Sequence, residues 1–392
     1  MFEQFGQQAE ARYRDGAAGG SGFADLAAEL LSEWDLPSVL SIARLHATAA
    51  TGELAGIGDQ SRPGLIPLYQ GQSVRIVAHL WSDAADRLHQ HDWSGAFQVI
   101  EGRSFNAEFA FDAADQLAEF TLGKISRTGF GIFRPGHIQP VQEGAALVHS
   151  VVYPGKPGLA VSLRAAGSGE KGAVEYLRPG LRCPSHRRRA ASAQQVDLLA
   201  QALQVGEEAY SDLFSGFARQ IDDAALIRLL DTAAFESLPV PEPVIDGLLE
   251  EKDWAGRVLA SLADIERSDK TRELLGDHNH PVIRDFVCAL FHSEGRSELA
   301  ETLQAAGFEA PVINAGRALA ALIVDDDEGA LPPDHVVSAL GEAALTGDVA
   351  GAVSAMRARA PDAEHLDQHC AFVAEAFEAM EEAPIFRSLF HA

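Results

Sequence analysis

Leu88-His89-Gln90-His91-Asp92 is the stretch whose residue types and spacing are fit for chemistry. Side chains alternate along a β-strand, so histidines two residues apart share a face and aim two imidazoles at one point. A third imidazole from another strand would complete one face of a metal's coordination shell and leave the opposite face open. Two histidines compete for that place. His149 stands in the apolar run Leu147-Val148-His149-Ser150-Val151, where a histidine must find a partner or a metal, whereas His137 follows Pro135-Gly136 in a turn-like context. His149 is the stronger candidate of the two. No carboxylate follows the pair at close range, since positions 94–96 are Ser94, Gly95 and Ala96. Asp92 falls on the other face if the strand continues, and Glu101, before Gly102, reads as a structural turn residue. Three neutral nitrogens leave a metal its full charge, which favours an anionic substrate such as a thiolate or carboxylate.

The elements that must hold these residues are short strands. From about residue 66 to residue 177 the chain runs in apolar stretches (74–81, 97–100, 105–111, 131–133, 147–153 and 159–163) divided by Gly, Pro and Asp, the texture of an all-β sandwich or barrel. In the strand over 72–81, Val74, Ile76, Ala78 and Leu80 form one face, and Arg75, Val77, His79 and Trp81 the other. That second face is either solvent-exposed or turned into a polar barrel interior. Ser162 and Arg164 share a face on the strand after His149. An arginine inside a barrel needs an anion beside it, which makes Arg164 or Arg75 a candidate clamp for a substrate carboxylate.

Around the strands the pattern is helical. Residues 1–50 carry Phe23, Leu26, Ala27, Leu30 and Leu31 at helical spacing, with a flexible break over Gly16 to Gly22 and a second short helix opening at Pro37. Beyond about Ala193 the helical texture continues to the end. Ile283, Phe286, Val287, Leu290 and Phe291 make an apolar face of two turns, and Asp325 to Glu328 closes another helix. Pro179 to Arg189, with four arginines, reads as a solvated linker. The expected fold class is α+β multidomain: a β-barrel with short N-terminal helices over 1–185, then an all-α domain over 193–392.

Charge divides the same way. Residues 1–200 hold 18 Lys and Arg against 21 Asp and Glu, and residues 201–392 hold 13 against 36, so the halves carry −3 and −23. Such acidity argues against nucleic acid or an anionic membrane as partner. Three scattered cysteines, Cys183, Cys288 and Cys370, make no disulfide framework or metal pair, and the N-terminus has no signal-peptide core. A reducing cytoplasm is the expected setting.

At the residues around the histidines the chain resembles the cupin superfamily, and within it the cysteine dioxygenase type of thiol dioxygenase. The matching pieces are His89-x-His91-Asp92-x-Ser94, Phe97, Val99 and Gly102, then Leu147-Val148-His149 and, thirteen residues after that histidine, Ser162 within Ala160-Val161-Ser162-Leu163. They cover roughly residues 60–170. The resemblance implies a cupin barrel holding non-haem Fe(II) on His89, His91 and His149, with a thiolate and O2 meeting on the open face and the sulfur oxidised to a sulfinate. Trp81 matches a tryptophan near the end of the strand before the ligands. The family's Ser-x-His-x-Tyr series reads Ser162-x-Arg164-x-Ala166 here, and Ala96 stands where animal members have a cysteine. The family's carboxylate-binding arginine has no clear counterpart; Arg62 is near the place, and Arg75 and Arg164 are substitutes by strand parity.

The leading expectation is therefore an Fe(II)-dependent oxygenase acting on a small thiol or related amino-acid-like anion with O2. Arg164 or Arg75 would hold a carboxylate, with His79, Trp81 and Ser162 around it. The helical domain would cap the barrel mouth, dimerise, or dock a protein or carrier bearing the substrate. A second reading is a metal-binding cupin that serves as sensor or scaffold, its helical domain recognising a protein or peptide. A third keeps an enzyme but puts Zn, Ni or Mn in isomerase or hydrolase chemistry.

Overall fold

The computed structural model describes residues 1–16, 22–51, 64–81, 85–155, 157–166, 174–184, 192–323 and 332–391. Arg62, Arg187 to Arg189, Asp325 to Glu328 and the interior of the Gly16–Gly22 break lie outside the described residues. Four helices open the chain: α1 (Phe2–Gly16), α2 (Gly22–Trp34), α3 (Leu36–Val39) and α4 (Ile42–Ala50). Among the described residues eleven strands follow. β1 (Leu65–Gln70), β2 (Val74–Trp81), β9 (Gly158–Ala165), β4 (Gly95–Glu101) and β7 (Ile138–Val141) form a five-stranded sheet in that order. β10 (Val174–Leu177), β11 (Leu181–Pro184), β6 (Phe120–Phe133), β5 (Ser104–Leu117), β8 (Gly144–Val152) and β3 (Ala85–His91) close into a six-stranded barrel. The expected class, a barrel with short helices before it and an all-α region behind it, is the observed one.

Alternation decides which way each face turns. In β2, Val74, Ile76 and Ala78 are fully buried, and they share a core with Phe23, Ala27, Leu30 and Leu31 of α2. The N-terminal helices thus cover the outer face of the five-stranded sheet. Its inner face meets the barrel strands through a small cluster of Trp93, Phe97, Val99, Phe133, Val141 and Leu147. Glu101 keeps the structural role expected of it: its carboxylate accepts from the Ile42 N–H at 2.6 Å and ties the start of α4 to the end of β4.

Two stretches differ from the sequence reading. The strands expected over 105–111 and 131–133 are parts of a hairpin with arms of fourteen residues, β5 and β6. Their outer ends (Asp112, Asp115, Gln116, Lys124) are too polar to show an apolar alternation, and the ladder hydrogen bonds alone carry the strand onward. The stretch from Pro179, read as a linker, begins instead with the β10–β11 hairpin, where Leu181 and Cys183 are buried and pair back onto Leu177 and Glu175.

Among the described residues eleven helices follow, from α5 (Ala193–Val205) to α15 (Leu366–Glu381), with a closing 3-10 turn at Pro384–Leu389. The apolar face read at 283–291 belongs to α10 (Pro281–His292), where Phe286, Val287, Leu290 and Phe291 are wholly buried. They share one core with Phe105 and Val152 of the barrel. A second core joins Phe120, Leu122, Leu177 and Leu181 to Leu226, Leu230, Val258 and Ile265. Helices and barrel are therefore welded by apolar burial rather than joined by a tether.

The charge asymmetry finds part of its cause along this seam. Arginines of the barrel half meet acids of the helical half: Arg87 with Asp269, Arg103 with Asp285, Arg127 with Glu298 and Glu301, and Arg178 with Asp264 and Glu294. Arg178 is the deepest, 2% exposed. Its Nε donates to Asp264 of α9 (Ala255–Asp277) at 2.9 Å and its Nη1 to the Phe291 carbonyl at 2.6 Å. Arg267 donates to the Leu290 and Ser293 carbonyls at 2.6 and 2.5 Å. A buried helix end must satisfy its last carbonyls, and two guanidiniums do so at the negative pole of α10. No described helix is long and apolar enough to cross a membrane.

Candidate metal centre

β3 and β8 are antiparallel neighbours, and His89 lies directly opposite His149. The register breaks after Gln90, so that His91 pairs with Gly144 and its ring is re-aimed, as such irregularities commonly do beside functional sites. The three rings form a nearly equilateral triangle: each pair of centroids is 4.8 Å apart, with interplanar angles of 84°, 53° and 56°. One nitrogen from each lies within 4.8 Å of the others, a grouping able to hold a metal ion, and Nε2 of His91 is 2.7 Å from Nε2 of His149. His137 is elsewhere: it is exposed and stacked on Phe133, centroids 3.6 Å apart.

The donors suit a divalent transition ion. Burial, then the neighbouring His149 and His89, holds the His91 imidazole far below its usual range; burial, then His89 and His292, does the same to His149. Both rings are therefore neutral and carry a free lone pair, the form that binds metal. His89 donates its Nδ1 proton to the Arg87 carbonyl at 2.8 Å, which fixes the tautomer and turns the Nε2 lone pair inward.

The second half of the site comes from the five-stranded sheet. Arg164 Nε donates to Ser162 Oγ at 2.8 Å, and Arg164 Nη2 donates to His79 Nε2 at 2.7 Å. Ser162 Oγ lies 2.9 Å from that same nitrogen. Because a guanidinium only donates, His79 accepts at Nε2 and carries its proton on Nδ1. The Arg164 guanidinium carbon sits over Trp93, 4.4 Å from the ring centroid, and the Trp93 and His91 ring centroids are 4.7 Å apart. The arginine's charge is thus set beside the metal centre by a cation–π contact and two hydrogen bonds. Of the two readings open for the Arg75–His79–Trp81 face, the interior one fits His79 and Trp81. Arg75, opposite Arg164 in register, is exposed.

Several residues of the site escaped the sequence reading. Trp93 follows His91 by two, and that period was a usable signal. Tyr153 stacks on Trp81 at 5.2 Å, and Trp81 on His79 at 5.7 Å, making an aromatic wall. Glu108 lies opposite His149 on β5, and Glu175 opposite His89 on β10, so two carboxylates flank the histidine row. Glu108 rests over Gly129, where a side chain would sit 3.6 Å from its Oε2. On the inner face Trp81 Nε1 and Asn106 Oδ1 are buried with no hydrogen-bond partner among the described residues. Gly95 is required by close approach, since a Cβ there would run into the Leu163 carbonyl.

No protein-family model matches the chain, and no curated protein does. Among solved structures, a hydroquinone 1,2-dioxygenase PnpCD in complex with Cd2+ and 4-hydroxybenzonitrile overlaps 28% of this chain and 68% of its own, at 12% identity and a TM-score of 0.21. The hydroquinone 1,2-dioxygenase of Sphingomonas sp. TTNP3 overlaps 28% and 70%, at 11% identity and 0.21. A cupin domain from Bordetella pertussis overlaps 28% and 99%, at 15% identity and 0.17. Likeness at that level carries no argument; the geometry of the centre does.

Proposed function

We propose that the protein is a cupin-type, non-haem Fe(II)-dependent oxygenase that oxidises a small thiol or related amino-acid-like anion with O2. The observation that carries this reading is the triangle of three inward-turned imidazoles, two of them held neutral by burial. His89, His91 and His149 are the proposed ligands. When bound there, Fe(II) supplies open positions and one-electron reactivity toward O2. For a thiol the overall change is R–SH + O2 → R–SO2H, with both oxygen atoms placed on sulfur.

The chain's own residues then bind and orient. Arg164, immobilised on Trp93 and by Ser162 and His79, presents a preorganised cation to a substrate carboxylate or thiolate. The Ser162–His79 contact places a serine and a histidine side by side even though the series after Ser162 holds an arginine, because the histidine arrives from β2. Trp81 and Tyr153 exclude water from one wall. Residues 1–185 and 193–392 are proposed to work as a single unit, the helices fixing the barrel strands that carry the histidines.

The test is O2 uptake by iron-loaded protein against a panel of small thiols, with product sulfinate measured. Uptake that falls with His149→Ala and Arg164→Met is expected. Stoichiometric iron with no uptake on any thiol would overturn the thiol oxygenase reading and favour the metal-bound sensor or scaffold.

A further inference from the structure

We propose that His335 and His369 form a second metal site, for a divalent late first-row transition ion such as Zn2+ or Ni2+, where the starts of α13 (Asp334–Thr346) and α15 (Leu366–Glu381) meet. The two histidines come from different helices, thirty-four residues apart, and His335 Nε2 lies 2.9 Å from His369 Nδ1. Their rings are 4.9 Å apart and tilted by 52°. That is nearly the mutual placement of His91 and His149 in the barrel, at 2.7 Å, 4.8 Å and 56°. Two imidazole nitrogens so close are both turned to one point, which one cation can occupy with both lone pairs.

The surroundings favour a cation. Both rings are half-buried, so a bound ion would keep open positions toward water. His365 caps the start of α15, four residues before His369, and its ring faces Glu364 at 3.4 Å rather than the pair, so the proposed protein ligands are the two histidines alone. The nearby cation Arg357 is held by Asp367 at 2.7 Å. Asp334 precedes His335 in the sequence, in a half of the chain whose net charge of −23 follows from 13 basic and 36 acidic residues. An ion here would staple α13 to α15 at the end of the helical array farthest along the chain from the barrel.

The test uses the full chain with the barrel site removed by His149→Ala and Zn2+ as probe, in calorimetric titration and thermal melts. One equivalent of Zn2+ is expected to remain and to raise Tm. It should weaken by about tenfold or more in His149→Ala/His335→Gln and in His149→Ala/His369→Gln, with metal-free melting unchanged. A chain that binds no zinc once His149 is gone would reduce the pair to a plain hydrogen bond. An equivalent that survives both glutamine substitutions would likewise overturn the site.

Discussion

The barrel's three histidines and the two arginines at the end of α10 are both buried polar clusters, and they meet burial in opposite ways. Arg178 and Arg267 direct most of their donors at Asp264, Glu294 and the last carbonyls of α10, so that cluster is largely closed inside the protein, with the Arg267 Nε left without a hydrogen-bond partner among the described residues. The histidines instead turn three nitrogens toward a common point, with Nε2 of His91 2.7 Å from Nε2 of His149. A closed cluster specifies structure, and a convergent one specifies a ligand. The acidic character of the helical half belongs partly to the first kind: four barrel arginines meet its acids along the seam.

Substitutions should separate the two. The largest effect expected is the loss of metal in His149→Ala, read as metal content after loading, with the fold retained. Next is Arg178→Ala, which strands Asp264 and the Phe291 carbonyl in the interior. Denaturant unfolding should show a cost of about 3–5 kcal/mol, while the folded fraction still binds metal. Arg164→Met should raise KM for an anionic substrate by roughly 10- to 100-fold, the worth of a charged hydrogen bond or two, with metal content unchanged. Arg75→Ala should move neither stability nor KM appreciably (within about 0.5 kcal/mol), because its side chain is exposed. Equal effects of the two arginine variants would dissolve the distinction drawn between them.

Acid should strain the clusters in different windows. His91, His149 and His292 are held by burial well below 6.5, so the unfolded chain takes up their protons first. Their contribution to stability is full above about pH 6.5 and is lost as pH falls below it. Glu294 is pushed up by burial but pulled harder by Arg267 and Arg178, to about 2. Its contribution persists down to about pH 4.5 and fades between there and about pH 2. Metal-free unfolding curves across pH should show the upper window, and Glu294→Gln should flatten only the lower one.

Much of the site was legible because strand periodicity is strict. His89 and His91, His79 and Trp81, Ser162 and Arg164 each follow from a spacing of two, and His149 from a histidine in an apolar run. Trp93, two residues after His91, obeys the same rule. What sequence did not disclose was register. Glu108 and Glu175 join the histidine row only through pairings set by the folded sheet. Nor does any local pattern mark Arg178 for Asp264, eighty-six residues away. The four-residue alternation of β11, with Leu181 and Cys183 inward, is too short to stand out beside the arginines that follow it.

Anaerobic Fe(II) binding, measured side by side for the native chain, His149→Ala and His137→Ala, bears on the metal centre with the fewest intervening assumptions. One tightly bound equivalent should be present in the native chain and in His137→Ala, and absent in His149→Ala. Tight binding that survives loss of His149 but not of His137 would contradict the three-histidine centre.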